Sequence, residues 1–474
     1  MSSAAATTAS PFGRSRGTEL ALIAFGVVVT VVAYANVGLA HDQHLPPGTF
    51  GYGAGLAALF VIAHLAVRRL APYADPVLLP IATALNGLGL VLIRRLDLAA
   101  ADRSRAITGT TSHGAAPLQL EWTVIGIALF VAVLLVVRDH RRLESYTYTA
   151  MVVGLVLLAV PALLPASHSV VNGARIWVRF GGFSFQPGEI AKIALEIFFA
   201  GYLVRKRELL ALAGRRVAGI DLPRARDLGP LLVGWGLSLL ILIRESDLGS
   251  SLLFFGIFLV VLYVATQRGS WLLIGLAMFI VGALLAATFI PHVHDRFGAW
   301  LHPFDEHIYN RAVGGSYQLA QGLFGLATGG IFGTGLGQGR PGIVPFANTD
   351  FIVATLGEEL GLVGVMAVLT LYLLVVARGI RAAIGTSDAF GKLLGVGLAF
   401  GLALQVFVQV GGVTRLIPLT GLTLPFLSYG GSSLVTNWIV LALLLRISDA
   451  ARRPAEATPR PPTPDEAMTM VVRR

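Results

Sequence analysis

Two adjacent carboxylates in the longest polar interruption of this 474-residue sequence are its best candidates for acid–base chemistry. Asp305 and Glu306 follow His302-Pro303-Phe304 inside residues 291–350, a stretch that separates strongly apolar segments. A loop of that length is uncommon unless it is functional or disordered. It contains aromatic residues, which disordered segments usually lack: Trp300, Phe304, Tyr309, Tyr317 and Phe324. We therefore expect an ordered loop in which a carboxylate can act as a general base.

A second polar cluster begins a helix at Gln186-Pro187-Gly188-Glu189. Glu189 and Lys192 are three residues apart and share one helix face. One interpretation is an ion pair that only solubilises the helix end. Because ionisable residues inside membrane spans are costly and usually functional, we favour a functional pair. The start of the helix adds partial positive charge where an anionic group could bind, and Arg175 in the preceding segment adds a planar donor suited to phosphate.

Carboxylates also mark the apolar segment that follows the long loop. Thr349-Asp350 directly precedes Phe351, which predicts an N-cap at Asp350. Glu358 and Glu359 would lie about 12 Å further along the same helix, at about 1.5 Å per residue. We expect them to face a polar cavity or to pair with a cation, with Lys192, Arg175 or a metal ion as the partner. A purely structural pair is the alternative.

Several reaction types are excluded by missing residues. The chain contains no cysteine, which removes disulfides, thiolate nucleophiles and thiolate-bound metals. It has no Gly-x-Ser-x-Gly or His-Glu-x-x-His motif. No phosphate-binding loop is present either, because the glycine-rich run from Gly329 to Gly339 lacks the Gly-Lys-Ser/Thr of such a loop. We interpret this run as flexible or closely packed backbone. Residues 428–433 form a predicted turn before the last helix, which offers hydroxyl groups and close backbone approach, with capping of that helix as the alternative.

The elements that position these residues are membrane helices. Hydrophobic residues make up 55% of the chain and charged residues only 13%, with a mean hydropathy of +0.75. Soluble domains carry about 25% charged residues. Apolar segments long enough to span a membrane are predicted at about 19–39, 50–67, 75–93, 121–137, 146–165, 187–204, 228–243, 247–266, 271–290, 351–377, 391–413 and 431–446.

The distribution of basic residues sets the predicted orientation. With a cytoplasmic N-terminus, inside segments hold 24 of the 36 Lys and Arg residues, and outside segments hold 11. This asymmetry agrees with the positive-inside rule and places both termini in the cytoplasm. The net charge is +10, but the charged residues lie between apolar runs rather than on one soluble face, so no nucleic-acid partner is predicted. The unusual polar clusters all fall on the outer side, which favours an enzyme at the outer leaflet over a carrier.

Several of these stretches form a set of recognisable motifs. They are Asn172-Gly-Ala-Arg-x-Trp, Gln186-Pro-x-Glu-x-x-Lys192, Asp247-Leu-Gly, Tyr317-Gln318, Thr349-Asp-Phe-Ile352, Gly357-Glu-Glu-Leu-Gly361 and Pro418-Leu-Thr-Gly-Leu-Thr-Leu-Pro-Phe-Leu-Ser-Tyr-Gly-Gly-Ser-Ser433. Together they resemble the SEDS family (shape, elongation, division and sporulation) of the RodA and FtsW type, from about residue 77 to 449. The last block is highly specific.

The resemblance implies an all-α polytopic membrane protein of the bacterial cytoplasmic membrane. Ten core helices plus two extra N-terminal ones would give about twelve, with one long ordered extracytoplasmic loop at 291–350. The predicted organisation is a cytoplasmic tail (1–18), extra helices (19–75), the SEDS-type core (76–449) and a disordered cytoplasmic tail (450–474).

The implied activity is that of a peptidoglycan glycosyltransferase. It would polymerise lipid II beside a class B penicillin-binding protein, for cell elongation or division; the short Pro-rich tail favours elongation. The candidate substrate-binding residues are Arg175, Glu189, Lys192, Asp247, Gln318, Asp350, Glu358, Glu359, Ser428 and Ser432.

The resemblance also implies an essential loop aspartate, but the sequence departs from the family pattern there. Alignment from Trp300 and Pro303 puts Glu306 at that position, with Asp305 one residue earlier. We favour Asp305 because its residue type matches, with Glu306 as the alternative. An inverting transfer from a lipid pyrophosphate needs one base and positive charge at the leaving group. Arg175, Lys192, the helix start or a divalent cation (Mg²⁺ or Mn²⁺) could supply that charge.

Two other functions fit parts of the sequence. A lipid II flippase would share the many helices and the buried carboxylates, but it would need polar groups at its cytoplasmic mouth, where the sequence has few. A non-catalytic scaffold for a transpeptidase would tolerate the loss of both Asp305 and Glu306.

Overall fold

The architecture is an assembly of long helices, seen in a computed structural model of the chain. The structure describes residues 11–109, 114–171, 174–180, 183–211, 215–217, 220–222, 247–311 and 314–454, with six further positions between 233 and 241. Its helices are α1 (Pro11–Asp42), α2 (Thr49–Leu70), α3 (Leu78–Thr108), α4 (Ala116–Val136), α5 (Thr147–Leu163), α6 (Ala166–Ser169), α7 (Pro187–Ala211), α8 (Leu248–Thr266), α9 (Ser270–Phe289), α10 (Pro291–Leu301), α11 (Glu306–Tyr309), α12 (Tyr317–Gly329), α13 (Ile352–Gly385), α14 (Ala389–Val413) and α15 (Gly431–Arg452).

Short strands and turns connect some of these helices. Three antiparallel hairpins are formed by β1 (Val170–Val171) with β2 (Ala174–Arg175), β3 (Val178–Phe180) with β4 (Phe183–Phe185), and β5 (Arg215–Val217) with β6 (Ile220–Leu222). Short 3-10 helices occupy His140–Tyr146 and Pro341–Ile343. The all-helical prediction did not include the hairpins, which are too short to show an alternating apolar pattern.

The predicted polytopic membrane fold is confirmed. Ten helices in the described ranges are long and apolar enough to cross a membrane, namely α1 to α5, α8, α9 and α13 to α15, where α5 is counted with the preceding 3-10 turn. At 25 residues, α7 is also long enough. Its charged residues keep it out of the apolar set. The predicted span at 228–243 lies largely outside the described residues, so the count of about twelve stays a prediction.

The connecting segments meet at two opposite ends of the helical assembly. At one end, which we call the long-loop face, residues 291–350 contact the C-terminal part of α3 and the segment after α14. For example, Arg103 Nη2 donates to Gly342 O at 2.5 Å and Trp300 Nε1 donates to Arg415 O at 3.1 Å. At the other end, the termini face, Tyr73 N donates to Asp449 Oδ1 at 2.8 Å. The predicted outer polar clusters that the structure describes all lie on the long-loop face.

The helical core is centred on α15, which is buried along most of its length. Trp438 of this helix is fully buried against the aromatic rings of Phe60, Phe130 and Phe426. Gly126 of α4 lies against the same indole, and a built Cβ there would come within 2.5 Å of the ring. Close packing around α15 therefore holds α2, α4 and the segment before α15 together.

The N-terminal boundary differs from the predicted one. Residues 1–18 were expected to form a polar tail, but α1 begins at Pro11. Arg16 is buried because it pairs with Glu19 and donates to the carbonyls of Ala71 and Ala74. These partners satisfy the hydrogen-bonding groups of the guanidinium within the protein. Arg16 can therefore be part of a buried helix, although its polarity predicted a solvent-exposed tail.

Candidate functional site

The Glu189–Lys192 pair lies in the first turns of α7, beside the long-loop face. The distance from Lys192 Nζ to Glu189 Oε2 is 2.6 Å, and the side chains are only 7% and 5% exposed. The predicted ion pair is therefore present. Because it is buried, the interpretation that it only solubilises the helix end is wrong.

Two serines at and just before the start of α15 link it to neighbouring segments. The Gln186 N–H donates to Ser432 Oγ at 2.8 Å, which joins the beginnings of α7 and α15. Ser428 Oγ donates to Thr349 O at 2.6 Å and accepts from Leu424 N at 2.9 Å. Both serines are buried. Their hydroxyl groups thus serve the framework around the pair, in agreement with the turn predicted at 428–433.

Glu359 pairs with a cation that the sequence did not suggest. Arg95, in the second half of α3, lies 2.8 Å from Glu359 Oε1 through its Nε and donates to Gly339 O at 2.7 Å through its Nη2. The second carboxylate oxygen accepts from Gly337 N at 3.1 Å. The predicted pairing with a cation is observed, but the partner is Arg95 rather than Lys192 or Arg175, because α3 continues past its predicted end at residue 93 and includes Arg95.

Glu358 and the glycine-rich run form one closely packed unit. Glu358 Oε1 accepts from Arg340 N at 2.5 Å, and its backbone carbonyl accepts from Thr334 N at 2.9 Å. Gly333 has a φ of +83°, and a built Cβ there would collide with the backbone of Glu359. Of the two predicted possibilities for residues 329–339, close packing is therefore the one observed.

Asp350 does not cap the following helix. The N-cap position of α13 is Phe351, which makes no side-chain cap bond. Asp350 instead accepts from the Thr349 hydroxyl at 2.7 Å, and its carbonyl accepts from Gln409 Nε2 at 2.8 Å. The predicted N-cap was wrong because α13 begins one residue later than expected, at Ile352, which makes Phe351 the N-cap.

An arginine of α10 lies close to two of the predicted acidic residues. Arg296 donates to Leu419 O at 2.9 Å and is within electrostatic range of Asp247 and Asp350. Burial raises the pKa of Asp350, while the Thr349 hydrogen bond and the charge of Arg296 oppose the rise. Burial also lowers the pKa of Arg296, while the negative charges of Asp247 and Asp350 oppose this decrease. Asp247 also caps α8 by accepting from Ser250 N at 2.9 Å.

Asp305 and Glu306 lie exposed at the surface of the long loop. Asp305 is the N-cap of the short helix α11, and its Oδ1 accepts from His307 N at 3.0 Å and Ile308 N at 3.3 Å. Glu306 occupies the first helical position. Either carboxylate is open to a substrate from solvent, and Asp305 carries a capping role in addition.

The long loop is ordered by contacts along its length. Arg415 donates to the carbonyls of Trp300 and Leu301, each at 2.8 Å. Gln318 Nε2 donates to Pro345 O at 3.1 Å, so this predicted binding residue bridges two parts of the loop. The predicted loop thus contains three helices, α10, α11 and α12, which together make up about half of it.

Neither Arg175 nor a cluster of metal ligands is found beside Glu358 and Glu359 in the described residues. The Arg175 guanidinium reaches Ala162 O at 3.5 Å, and its buried Nε has no partner in the ranges that the structure covers. It does not meet Glu358 or Glu359 in an ion pair. Among the described residues, no group of three or more His, Asp or Glu side chains could hold a metal ion. A divalent cation therefore stays an untested prediction without a ligand cluster to support it.

Comparison with known proteins decides the family. The model of the FtsW, RodA and SpoVE family, described as "Cell cycle protein", matches residues 76–453. The chain belongs to this family. The family match starts after α2, so the two N-terminal helices lie outside it.

Curated relatives of this family cover the chain at high identity. The peptidoglycan glycosyltransferase RodA of Mycobacterium tuberculosis is 51% identical over 465 residues, which are 98% of this chain and 97% of the relative. That match therefore includes α1 and α2. Stage V sporulation protein E of Bacillus subtilis is 34% identical over 345 residues, 70% of this chain and 87% of the relative.

Solved structures share the fold. One is described as "Structural coordination of polymerization and crosslinking by a peptidoglycan synthase complex"; it is 27% identical, with a TM-score of 0.52, and the match covers 84% of this chain and 97% of that one. An aspartate-to-alanine variant of the rod shape determining protein RodA from Thermus thermophilus is 25% identical, with a TM-score of 0.52, over 80% of this chain and 99% of that one.

Sequence reasoning missed two basic residues of the site. Arg95 was counted only as a loop charge, although an arginine two residues past an apolar run could have been proposed as a partner for a buried carboxylate. Arg296 gave no signal, because its contacts with the segment before α15 join residues more than 100 positions apart.

Proposed function

We propose that this chain polymerises lipid II into glycan strands at the outer face of the cytoplasmic membrane, as a peptidoglycan glycosyltransferase of the RodA type. The observation that carries the proposal is the 51% identity to peptidoglycan glycosyltransferase RodA over 98% of the chain. The site geometry agrees with it: a buried ion pair and exposed carboxylates lie on one face of a helical membrane protein.

The acceptor sugar needs a base at its 4-hydroxyl. Asp305 or Glu306 would remove that proton while the hydroxyl oxygen attacks the anomeric carbon of the donor. The bond from that carbon to the lipid pyrophosphate breaks, and the pyrophosphate leaves with the electron pair. One base and no covalent intermediate are sufficient for such an inversion. Oδ2 of Asp305 is outside the capping bonds, which use Oδ1.

The leaving pyrophosphate needs positive charge where its negative charge develops. Lys192 is the candidate for this role, because it is held 2.6 Å from Glu189 in the first turns of α7. The helix start adds the partial positive charge of its free N–H groups. Arg175, with an unpartnered Nε among the described contacts, is a second donor in the same part of the chain.

The proposal includes an orientation in the membrane and a transpeptidase partner. The positive-inside distribution would place the long-loop face outside the cell and both termini in the cytoplasm. A class B penicillin-binding protein would supply the transpeptidase that crosslinks the strands. One structural neighbour is a peptidoglycan synthase complex described as coordinating polymerization and crosslinking.

Polymerisation of labelled lipid II by the purified full-length protein tests this function. The protein, with and without a candidate transpeptidase, would be incubated with lipid II and a divalent cation, and strand length would be measured on gels. A parallel assay in liposomes would measure whether lipid II crosses the bilayer. We expect strands and no transport. Transport without strands would favour a flippase, and a folded complex with neither activity would favour a scaffold.

A further inference from the structure

A small cavity lies within the helical core, below the Glu189–Lys192 pair. It is formed between α7, α8, α14 and α15 and has a volume of about 20 Å³. That is enough for one particle of the size of a water molecule. Most of its wall is aliphatic, and its polar lining consists of Lys192, Glu196, Gln405, Thr436 and Asn437.

Glu196 is the unexplained ionisable group of this cavity. It lies seven residues after Glu189, or about 10 Å further along α7 at about 1.5 Å per residue. Its side chain is buried, at 7% exposure, and Oε2 has no hydrogen-bond partner in the part of the chain that the structure describes. An ionisable side chain at this depth in a membrane span is costly and is by default a functional candidate.

Two glycines of α14 make room for the carboxyl group. A built Cβ at Gly401 would lie 3.2 Å from Glu196 Oε1, and one at Gly397 would lie 3.7 Å from Oε2. Glycine is the residue that lets a neighbouring group approach a backbone this closely. The space beside the carboxylate is therefore built into the facing helix.

The other polar groups offer oxygen atoms. Thr436 Oγ1 is buried without a partner among the described contacts. Gln405 Nε2 donates to Thr423 O, and Asn437 Nδ2 donates to Ser433 O, each at 2.8 Å. Both amide nitrogens donate to backbone carbonyls, and each side chain also carries an amide oxygen that could coordinate a cation. A carboxylate, a hydroxyl and amide carbonyls form the donor set of a hard cation.

A bound cation would balance the charge of an ionised Glu196. Lys192 lines the cavity, but its ammonium is paired with Glu189 at 2.6 Å. With all three groups ionised, Glu189, Lys192 and Glu196 sum to one negative charge. We propose that Glu196, Thr436, Gln405 and Asn437 bind a sodium ion inside the helical core. This site would stabilise the packing of α7 against α14 and α15, and it does not depend on the polymerase activity.

Thermal unfolding of the full-length protein in detergent tests the site. Sodium would be titrated against N-methylglucamine at constant ionic strength and pH. For the wild type, we expect Tm to rise with the logarithm of sodium concentration once it exceeds Kd. Glu196→Gln should abolish this rise, and Thr436→Val should move it to higher sodium concentrations. The control Glu121→Gln changes an exposed carboxylate of α4 and should respond like the wild type.

Two further measurements keep the test valid even if Glu196→Gln does not fold. Gly401→Ala keeps every charge but places a methyl group 3.2 Å from Glu196 Oε1, so it should weaken the sodium response. Equilibrium binding of radioactive sodium to the wild type should show a single saturable site. A wild-type Tm that is independent of sodium would overturn the proposal, as would an unchanged response in Glu196→Gln. A response to pH alone would mean that the cavity holds only a protonated carboxyl group, which also overturns it.

Discussion

Arg95 and Glu359 join α3 to α13 through a buried ion pair, with 2.8 Å between Nε and Oε1. The same arginine binds Gly339 O, and the same carboxylate binds Gly337 N. The pair therefore fixes the glycine-rich segment of the long loop against the helices that carry the candidate site. Its role is to position that segment, because both charges are engaged by protein groups.

Removing one partner of this pair should be more damaging than removing both. Arg95→Ala leaves a buried carboxylate without its cation, and we expect a loss of about 3–5 kcal/mol in the free energy of unfolding. The double variant Arg95→Met/Glu359→Gln should recover much of that loss. Thermal unfolding in detergent measures both. An Arg95→Ala protein as stable as the wild type would show that the pair does not hold the loop.

The glycine-rich segment should be sensitive to added methyl groups. Gly333 combines a φ of +83° with backbone contact to Glu359, so Gly333→Ala requires both strain and displacement. We expect a loss of more than about 1 kcal/mol in stability. Gly282→Ala in α9 has open space around the new methyl group and serves as the control. Equal stability for the two variants would contradict close packing of the segment.

Lys192 should matter to the chemistry beyond its structural pairing. Lys192→Met would leave Glu189 buried and unpaired, whereas Lys192→Met/Glu189→Gln removes the charge imbalance and should fold. We expect the double variant to lose about 10²–10³-fold in polymerisation rate, the usual effect of removing one group that stabilises developing negative charge. Glu189→Gln alone keeps the cation and should lose less. Wild-type rates in the folded double variant would remove Lys192 from the mechanism.

The termini face contains a pH-sensitive cap. Asp388 begins α14 by accepting from Gly391 N at 2.6 Å, and His140 Nε2 lies 2.8 Å from its other oxygen. Burial alone would raise the pKa of Asp388, but the hydrogen bonds from His140, Gly391 and Thr386 lower it. A lowered pKa means that the ionised cap stabilises the fold above the ordinary pKa of Asp, near 3.8, and that this stability is lost as pH falls through the folded value.

Asp388→Ala should therefore cost about 0.5–2 kcal/mol at neutral pH, the usual effect of losing an N-cap. The difference from the wild type should shrink as pH is lowered below about 4. Denaturant or thermal unfolding across pH measures it. A difference that stays constant into strong acid would mean that the ionised carboxylate is not responsible.

Local signals in the sequence predicted much of this molecule. Apolar runs located the helices because each span satisfies its own backbone hydrogen bonds and needs an apolar surface. The Glu189–Lys192 pair was predictable because its partners are one turn apart on the same helix. The ordered loop followed from its aromatic residues.

Apart from the short hairpins, the errors in the sequence-based predictions depend on tertiary contacts. Glu359 meets Arg95 from 264 positions away, and no local pattern encodes that distance. Asp350 has a good capping residue type, yet the chain turns to place its carboxyl toward Thr349 and Arg296 instead. Arg16 looked like a tail residue because its carbonyl partners lie beyond α2.

The most direct test of the polymerase account separates the two roles of Asp305. Asn is as good an N-cap as Asp, so Asp305→Asn should keep the cap of α11 and remove only the base. Glu306→Gln is the matched change at the neighbouring position. In lipid II polymerisation, we expect one of these folded variants to lose activity by at least about 100-fold, as for removal of a general base. Full activity in both would mean that the catalytic base lies outside this pair, and the account of the long loop as the catalytic element would be wrong.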